Sequence, residues 1–347
     1  MRAFVQDSYG PAETLRLREV AAPVPADDHL LVRVNATSLN ARDWHALRGD
    51  PYLARLLFPP FGWRAPKHAI RGSDFAGRVE AVGRSVTRFA PGDEVFGDLR
   101  EGDGAFAEFA CVAESAVQRK PANLTFEEAA TLPLAGGTAL LGVRDAAGVR
   151  AGQRVLINGA SGGVGTFAVQ LAKAYGAEVT AVCSGRNADL VRSLGADHVI
   201  DYTTSDFSRS GRTFDVIFDL VANRPLRAYR RALTPDGTLV LSGGGTARAG
   251  RPYLVGPMGL VIAGQTVGRL GRRRVIRLDT APDAAVLASL RELAEEKTIV
   301  PVIDRTYRFE QIPEAMRYLM VEHARAKVVV TVTPDHQAGD NSARSPS

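Results

Sequence analysis

The chain has 347 residues, 45% of them hydrophobic and 23% charged, with a formal net charge of +5. This is ordinary globular composition, and the length predicts about two domains. Two cysteines, Cys111 and Cys183, cannot form a disulfide framework or a four-cysteine zinc site, and arginines spread along the chain favour anionic ligands without implying nucleic-acid binding.

The amino terminus, MRAFVQDSYG, shows no basic stretch followed by an apolar core, and no run of about 18 apolar residues occurs. A cytoplasmic home without membrane spans is the expectation. Residues 1–124 read as short strands and turns: HLLVRVNATSL alternates, DFAGRVEAVG ends in a glycine turn, and PGD in RFAPGDEVFGD marks a tight turn before a strand. Such spacing predicts a small β-barrel. From Thr125 the pattern changes. TFEEAATLP places an N-cap Thr before two acidic residues and starts a helix.

Beyond Gly152 strands and helices alternate. RVLINGA, EVTAVCS, HVIDY, FDVIFDL and GTLVLSG are the strands; VGTFAVQLAKAYG, ADLVRSLG and ANRPLRAYRRAL are the helices. This order predicts a parallel sheet covered on both faces. DAAVLASLRELAEEK is a further helix. IVPVIDRTYRF and KVVVTV are strands expected to rejoin the first domain. The tail, 334–347, is polar and aperiodic and reads as disordered.

The stretch INGASGGVGTFAVQLAK places Ser161, Gly162, Gly163, Val164 and Gly165 between a strand and a helix. Ala160 stands at the first position of the G-x-G-x-x-G fingerprint. Gly162 would let backbone approach a pyrophosphate, and Gly165 would let the helix pack closely on the sheet. The alternative is a glycine-rich turn without a ligand. The next strand ends in CSGRN. A carboxylate that would bind ribose hydroxyls is absent, and Ser184 and Arg186 stand there instead. A hydroxyl and a guanidinium suit a 2′-phosphate, and Tyr202 ends the following strand. These residues favour NADPH over NADH, unless Arg186 is only a solvated surface group.

SLNARDWHALRG, RGSDFAGRVEAVG, PGDEVFG, LPLAGGTALLGV, VLINGASGGVGTFAVQLAK and HARAKVVVTV together resemble the medium-chain dehydrogenase/reductase superfamily, in its zinc-free quinone oxidoreductase branch. The resemblance covers residues 1–333. It implies an α/β fold: a doubly wound parallel Rossmann sheet (125–280) and a GroES-like β-barrel domain formed by both chain ends (1–124 and 281–333). Zinc-dependent members carry G-H-E where this chain reads Gly72-Ser73-Asp74, and a Cys near the position of Asn40 to Asp43. His45 and His68 have no thiolate beside them. The resemblance therefore implies no zinc, and hydride transfer from NADPH to quinones or α,β-unsaturated carbonyls. An alcohol dehydrogenase or carbonyl reductase, and a non-catalytic NADPH sensor, are the alternatives.

The resemblance also implies roles for single residues. Asn40 and Asp43 would line the nicotinamide cleft, or else brace their loop through a mutual hydrogen bond. Thr138 would face the nicotinamide ribose or cap a helix. Gly243 would allow close backbone approach, and Lys327 would contact the cofactor. Tyr52 is the candidate proton donor, with His45 the alternative. The apolar and basic segment 251–275 would form a dimer interface or a lid; contact with anionic lipid is the lesser expectation. A homodimer and a small electrophilic acceptor are the expected partners.

Overall fold

The structure is a computed structural model that describes residues 1–50, 55, 62–63, 65–100, 103–242, 272–278, 283–322 and 324–332. Tyr52, Gly243, residues 251–271 of the apolar and basic segment, and the 334–347 tail lie outside the described residues.

Fifteen strands run through the described chain in this order. β1 (Arg2–Val5) and β2 (Arg16–Glu19) pair antiparallel. β3 (His29–Leu39), β4 (Asp74–Val82), β5 (Glu94–Asp98), β6 (Phe109–Ala113) and β7 (Val117–Arg119) follow. β8 (Arg154–Asn158), β9 (Glu178–Cys183), β10 (His198–Asp201), β11 (Phe214–Asp219), β12 (Leu233–Leu241) and β13 (Arg274–Arg277) come next, and β14 (Ile303–Arg308) and β15 (Lys327–Thr331) close the series.

The first seven-stranded sheet has the order β14-β15-β3-β4-β5-β7, with β6 also on β3. β3 is long enough to serve three neighbours. β4 follows its whole length on one edge, while β6 pairs with its first half and β15 with its second. Both chain ends therefore build this sheet, as expected. The closed barrel is not found: among the described residues the path runs open from β14 to β7, and no ladder joins those two strands.

The second sheet is wholly parallel, in the order β10-β9-β8-β11-β12-β13. Its central strands are buried along their length, because helices cover both faces and leave no face to water. β13 is an element the sequence reading did not assign. RVIR is too short to show a period, and it stood inside a basic cluster. The arginines before it hold the edge in place: Arg272 Nε is 2.7 Å from Asp236 Oδ1, and Arg273 donates to Leu233 O at 3.3 Å.

The helices start and stop where their residues allow. Thr125 Oγ1 accepts from Glu128 N at 3.2 Å and Glu128 Oε2 accepts from Thr125 N at 2.9 Å, a reciprocal cap on Phe126–Ala129. Helical turns continue from there to Ala146, with wide turns at Leu132–Gly136 and Leu141–Ala146. The helix Gly163–Ala174 ends at Gly176, whose φ of +77° an L residue rarely adopts. Among the described residues no helix is long and apolar enough to cross a membrane.

Candidate functional site

In a parallel sheet the loops after the carboxyl ends of the strands share one edge, and ligands bind there. Here a cleft of about 590 Å³ lies at that edge. The ends of β8, β9 and β11 supply one wall through Asn158, Ser184 and Leu220, and the turn after β3 with the start of β15 supplies the other through Asn40 and Lys327.

The glycine stretch forms the floor. Gly162 is the N-cap of Gly163–Ala174, and no side chain caps that helix. Its first N–H groups and the positive end of its dipole are therefore available to an anion. A Cβ on Gly162 would meet only Gly159 O, at 3.4 Å, and would otherwise extend into open space. The missing side chain thus leaves a cradle that an approaching pyrophosphate fits. Gly165 does different work. A Cβ there would lie 2.2 Å from Gly159 O and 2.6 Å from Ala160 O, so the helix could not sit against the turn. Gly163 makes room for a protein group instead: its Cβ would come within 2.9 Å of Lys327 Cδ.

Ser161, Val164, Ser184, Arg186 and Tyr202 all line this cleft, as do Asn40 and Lys327. Ser161 Oγ accepts from Asn187 Nδ2 at 3.0 Å, so the last residue of CSGRN ties the end of β9 to the phosphate loop. Arg186 lies close enough to donate to Glu322 O at 3.4 Å. The carboxylate at the end of β10, Asp201, accepts from Thr203 N and Oγ1 through Oδ1 at 2.9 and 2.7 Å, while its Oδ2 lies against Gly185; it is not part of the cleft lining. Tyr202 is half exposed over the cleft.

At the opposite end a buried polar cluster stands behind the cleft. Asp74, at the start of β4, has no solvent exposure. Its Oδ2 accepts from Ser38 Oγ at 2.9 Å and Asn40 Nδ2 at 2.9 Å, and lies 3.5 Å from Lys327 Nζ; its Oδ1 accepts from Leu134 N at 3.0 Å. Lys327 Nζ also lies 2.5 Å from Asn40 Oδ1 and 3.3 Å from Leu39 O. Burial lowers the Lys327 pKa from the usual lysine range, while the charges of Asp74 and Asp43 oppose that shift.

Asp43 does not line the cleft. It stands at the third position of the helix Ala41–Arg48, and its Oδ2 accepts from Asn40 N at 2.7 Å. The bracing hydrogen bond, one of the two expectations for this pair, is thus present through Asn40's backbone, while the Asn40 side chain serves Asp74 and Lys327. Burial pushes the Asp43 carboxyl up to about 8, and the charge of Asp103 adds to the shift. Asp98, opposite Asp74 on β5, is pushed up to about 6, chiefly by burial and then by Asp74.

Thr138 is buried at the second position of the α-helical segment Gly137–Leu140, within the helical run from Phe126 to Ala146; no side chain caps that segment, and Thr138 is not part of the cleft lining. His45 is packed against Trp44, with ring centroids 4.5 Å apart, and burial lowers its pKa. His68 lines a separate groove with Lys67 and Cys111. Among the described residues no three His, Cys, Asp or Glu side chains converge as metal ligands.

Three positions at this site were not singled out from the sequence. Asp74 was noted only as part of a motif lacking a His. Asn158 donates to Asp219 Oδ1 at 2.7 Å and lines the cleft, while Asp219 itself is held by Tyr229 Oη at 2.7 Å. The asparagine that ends CSGRN, Asn187, is the third.

Comparison with known proteins agrees with this geometry. Residues 26–122 match a family described as "Alcohol dehydrogenase GroES-like domain", and residues 194–330 match one described as "Zinc-binding dehydrogenase". The chain is 33% identical to the chloroplastic quinone-oxidoreductase QR1 of Triphysaria versicolor, over 95% of this chain and 98% of that one. It is 32% identical to the 2-methylene-furan-3-one reductase of Solanum lycopersicum, over 96% and 80%. The solved quinone oxidoreductase of Coxiella burnetii superposes with a TM-score of 0.80 at 29% identity, covering 96% and 99% of the two chains. The open cleft, the glycine cradle and these likenesses agree: the chain is an oxidoreductase and belongs to the medium-chain dehydrogenase/reductase superfamily, as a quinone oxidoreductase-like member.

Proposed function

We propose that this chain is an NADPH-dependent, zinc-independent oxidoreductase that transfers hydride to quinones or α,β-unsaturated carbonyls. The observation that carries the cofactor choice is the end of β9. Ser184 and Arg186 line the cleft there, and the nearby carboxylate, Asp201, is not among the lining residues. A hydroxyl and a planar guanidinium fit a 2′-phosphate, whereas the ribose diol of NADH calls for a carboxylate. When bound, the dinucleotide supplies the hydride.

The chain's own residues orient and charge the cleft. Gly162 and the helix N-terminus receive the diphosphate, Ser184, Arg186 and Tyr202 hold the adenosine end, and Asn40 and Lys327 bound the acceptor end. The polar groups at that end are an amide, an ammonium and a carboxylate already hydrogen-bonded to both. Zinc favours thiolate, imidazole and carboxylate ligands with free lone pairs, and this donor set does not offer them. An electron-poor acceptor, reducible by hydride addition without a Lewis acid, fits such a cleft. The names of two relatives, a quinone oxidoreductase and a furanone reductase, point to the same acceptor classes. A cytoplasmic location and a homodimer are part of the same proposal.

The test is NADPH consumption with ortho-quinones, a para-quinone, an enone and a simple ketone, each with and without chelator. Turnover of a quinone or enone that the chelator leaves unchanged is the expected result. Turnover of the ketone alone, or loss of activity with chelator, refutes the proposal. NADPH binding with no turnover of any acceptor would favour a sensor.

A further inference from the structure

The reduction proposed above consumes a proton as well as a hydride. Hydride addition puts two electrons into the acceptor, and its oxygen becomes strongly basic. Four titratable side chains line the cleft among the described residues: Cys183, Arg186, Tyr202 and Lys327. The first three stand on or beside the end of β9, where the adenosine is proposed to bind. Arg186 does not release a proton in the accessible range, and burial pushes the Cys183 thiol up to about 11.

Lys327 stands at the other end. Its stem passes over Gly163 and its ammonium reaches Asn40, Leu39 and Asp74. An ammonium carries three hydrogens. Only the Asn40 contact, at 2.5 Å, is short; those to Leu39 O and Asp74 Oδ2, at 3.3 and 3.5 Å, lie at the limit of hydrogen bonding. At least one hydrogen is therefore weakly held beside the cleft.

We propose that Lys327 is the proton donor of the reaction and that Asp74 is a positioning residue acting through it. This rests on the functional reading above. In the step, the acceptor carbon gains the hydride, an N–H bond of Lys327 breaks, and an O–H bond forms at the acceptor oxygen. Lys327 is left as a neutral amine, and a proton from water restores it. An enone product then tautomerises to the saturated carbonyl; a quinone product, which has likewise gained one hydride and one proton, aromatises to the hydroquinone with no further net uptake of protons. Asp74 on β4 keeps the ammonium charged between turnovers. Asp98 on β5 acts in the same sense once ionised, above about pH 6, and Asp43 on the Ala41–Arg48 helix does so only above about pH 8, where it loses its proton; the positive end of the Gly163–Ala174 helix acts against them.

The experiment compares wild type, K327M, K327R and D74N. NADPH affinity is measured without acceptor by fluorescence titration, folding by thermal melting, and kcat across pH with the best acceptor. NADPH dissociation constants should stay within about threefold of wild type. kcat should fall by about a hundredfold or more in both K327M and K327R, the range expected for losing a general acid. In D74N the high-pH limb of kcat should move to lower pH, because the charge that keeps Lys327 protonated is gone.

Near-normal kcat in K327R would show that charge alone suffices and overturn the donor role. A tenfold or greater loss of NADPH affinity in K327M would make Lys327 a cofactor anchor and overturn it as well. An unmoved limb in D74N would reduce Asp74 to a structural group. If K327M fails to fold, K327R and the D74N limb still decide. Failure of the functional reading shows separately, as wild type turning over no quinone or enone.

Discussion

Gly162 and Gly165 are three residues apart in one glycine-rich stretch, yet alanine at each should do opposite damage. At Gly165 the new methyl would sit 2.2 Å from Gly159 O and 2.6 Å from Ala160 C and O. All three are backbone atoms, so relief requires the helix to back away by about 1 Å from the turn. Overpacking of this kind costs about 3 kcal/mol. Alanine recovers about 1 kcal/mol of helix propensity over glycine, which leaves a net loss of about 2 kcal/mol. For a chain of this size that lowers Tm by roughly 3 °C. At Gly162 the methyl meets only Gly159 O, at 3.4 Å, and the φ of −84° suits any residue. Stability should change by less than about 1 kcal/mol, but the methyl occupies the space left for the diphosphate, and NADPH affinity should fall at least about tenfold, or 1.4 kcal/mol. Thermal melting and fluorescence titration of the two variants check both halves. An unchanged Tm in G165A, or unchanged NADPH affinity in G162A, would refute the division of labour between the two glycines.

Three more outcomes are expected. The double change S184D/R186A should lower the NADPH-to-NADH preference at least about tenfold in kcat/KM, since it exchanges a phosphate partner for a diol partner; an unchanged ratio would count against the reading of CSGRN. Asp43 has a folded-state pKa raised to about 8 against an ordinary value near 4, so it holds a proton that the unfolded chain releases. Its contribution to stability is therefore full below about pH 4 and is lost as pH rises toward 8. D43N, which keeps the acceptor for Asn40 N, should match wild type at low pH and exceed it by up to about 5 kcal/mol at pH 8, at about 1.4 kcal/mol per pH unit, as read by denaturant melts across pH. Thr125→Ala removes the cap of Phe126–Ala129 and should cost about 1 kcal/mol, with Thr125→Ser restoring most of it.

What the sequence revealed and what it hid follow from the range of the interactions. Ser161, Gly162, Ser184, Arg186 and Tyr202 reach one cleft because each follows the carboxyl end of a parallel strand, and local patterning finds strand ends. Asp74 is the counter-example. Its partners Asn40, Ser38, Leu134 and Lys327 are 34, 36, 60 and 253 residues away, and no window of sequence contains them. Thr138 was placed by resemblance; it lies buried between the wide turns Leu132–Gly136 and Leu141–Ala146, and it is not among the residues that line the cleft. The strands of the first sheet were legible from alternation. Its open path was not, because closure depends on which edges pair, and β3 shares one edge between β6 and β15.

The contact of Ala326 with the phosphate loop bears on how the protein is made. Ala326 N donates to Ser161 O at 2.8 Å, Gly162 bridges to Ala326, and the Lys327 stem lies over Gly163. A ribosome releases the glycine loop long before it releases these residues. During synthesis the parallel sheet can assemble while the cradle at the glycine stretch still lacks one wall, and only the arrival of β15 completes it. Closure of the cradle thereby waits on residues more than 160 positions further along the chain than Ser161, so that a fragment cut short before Ala326 would lack one wall of it.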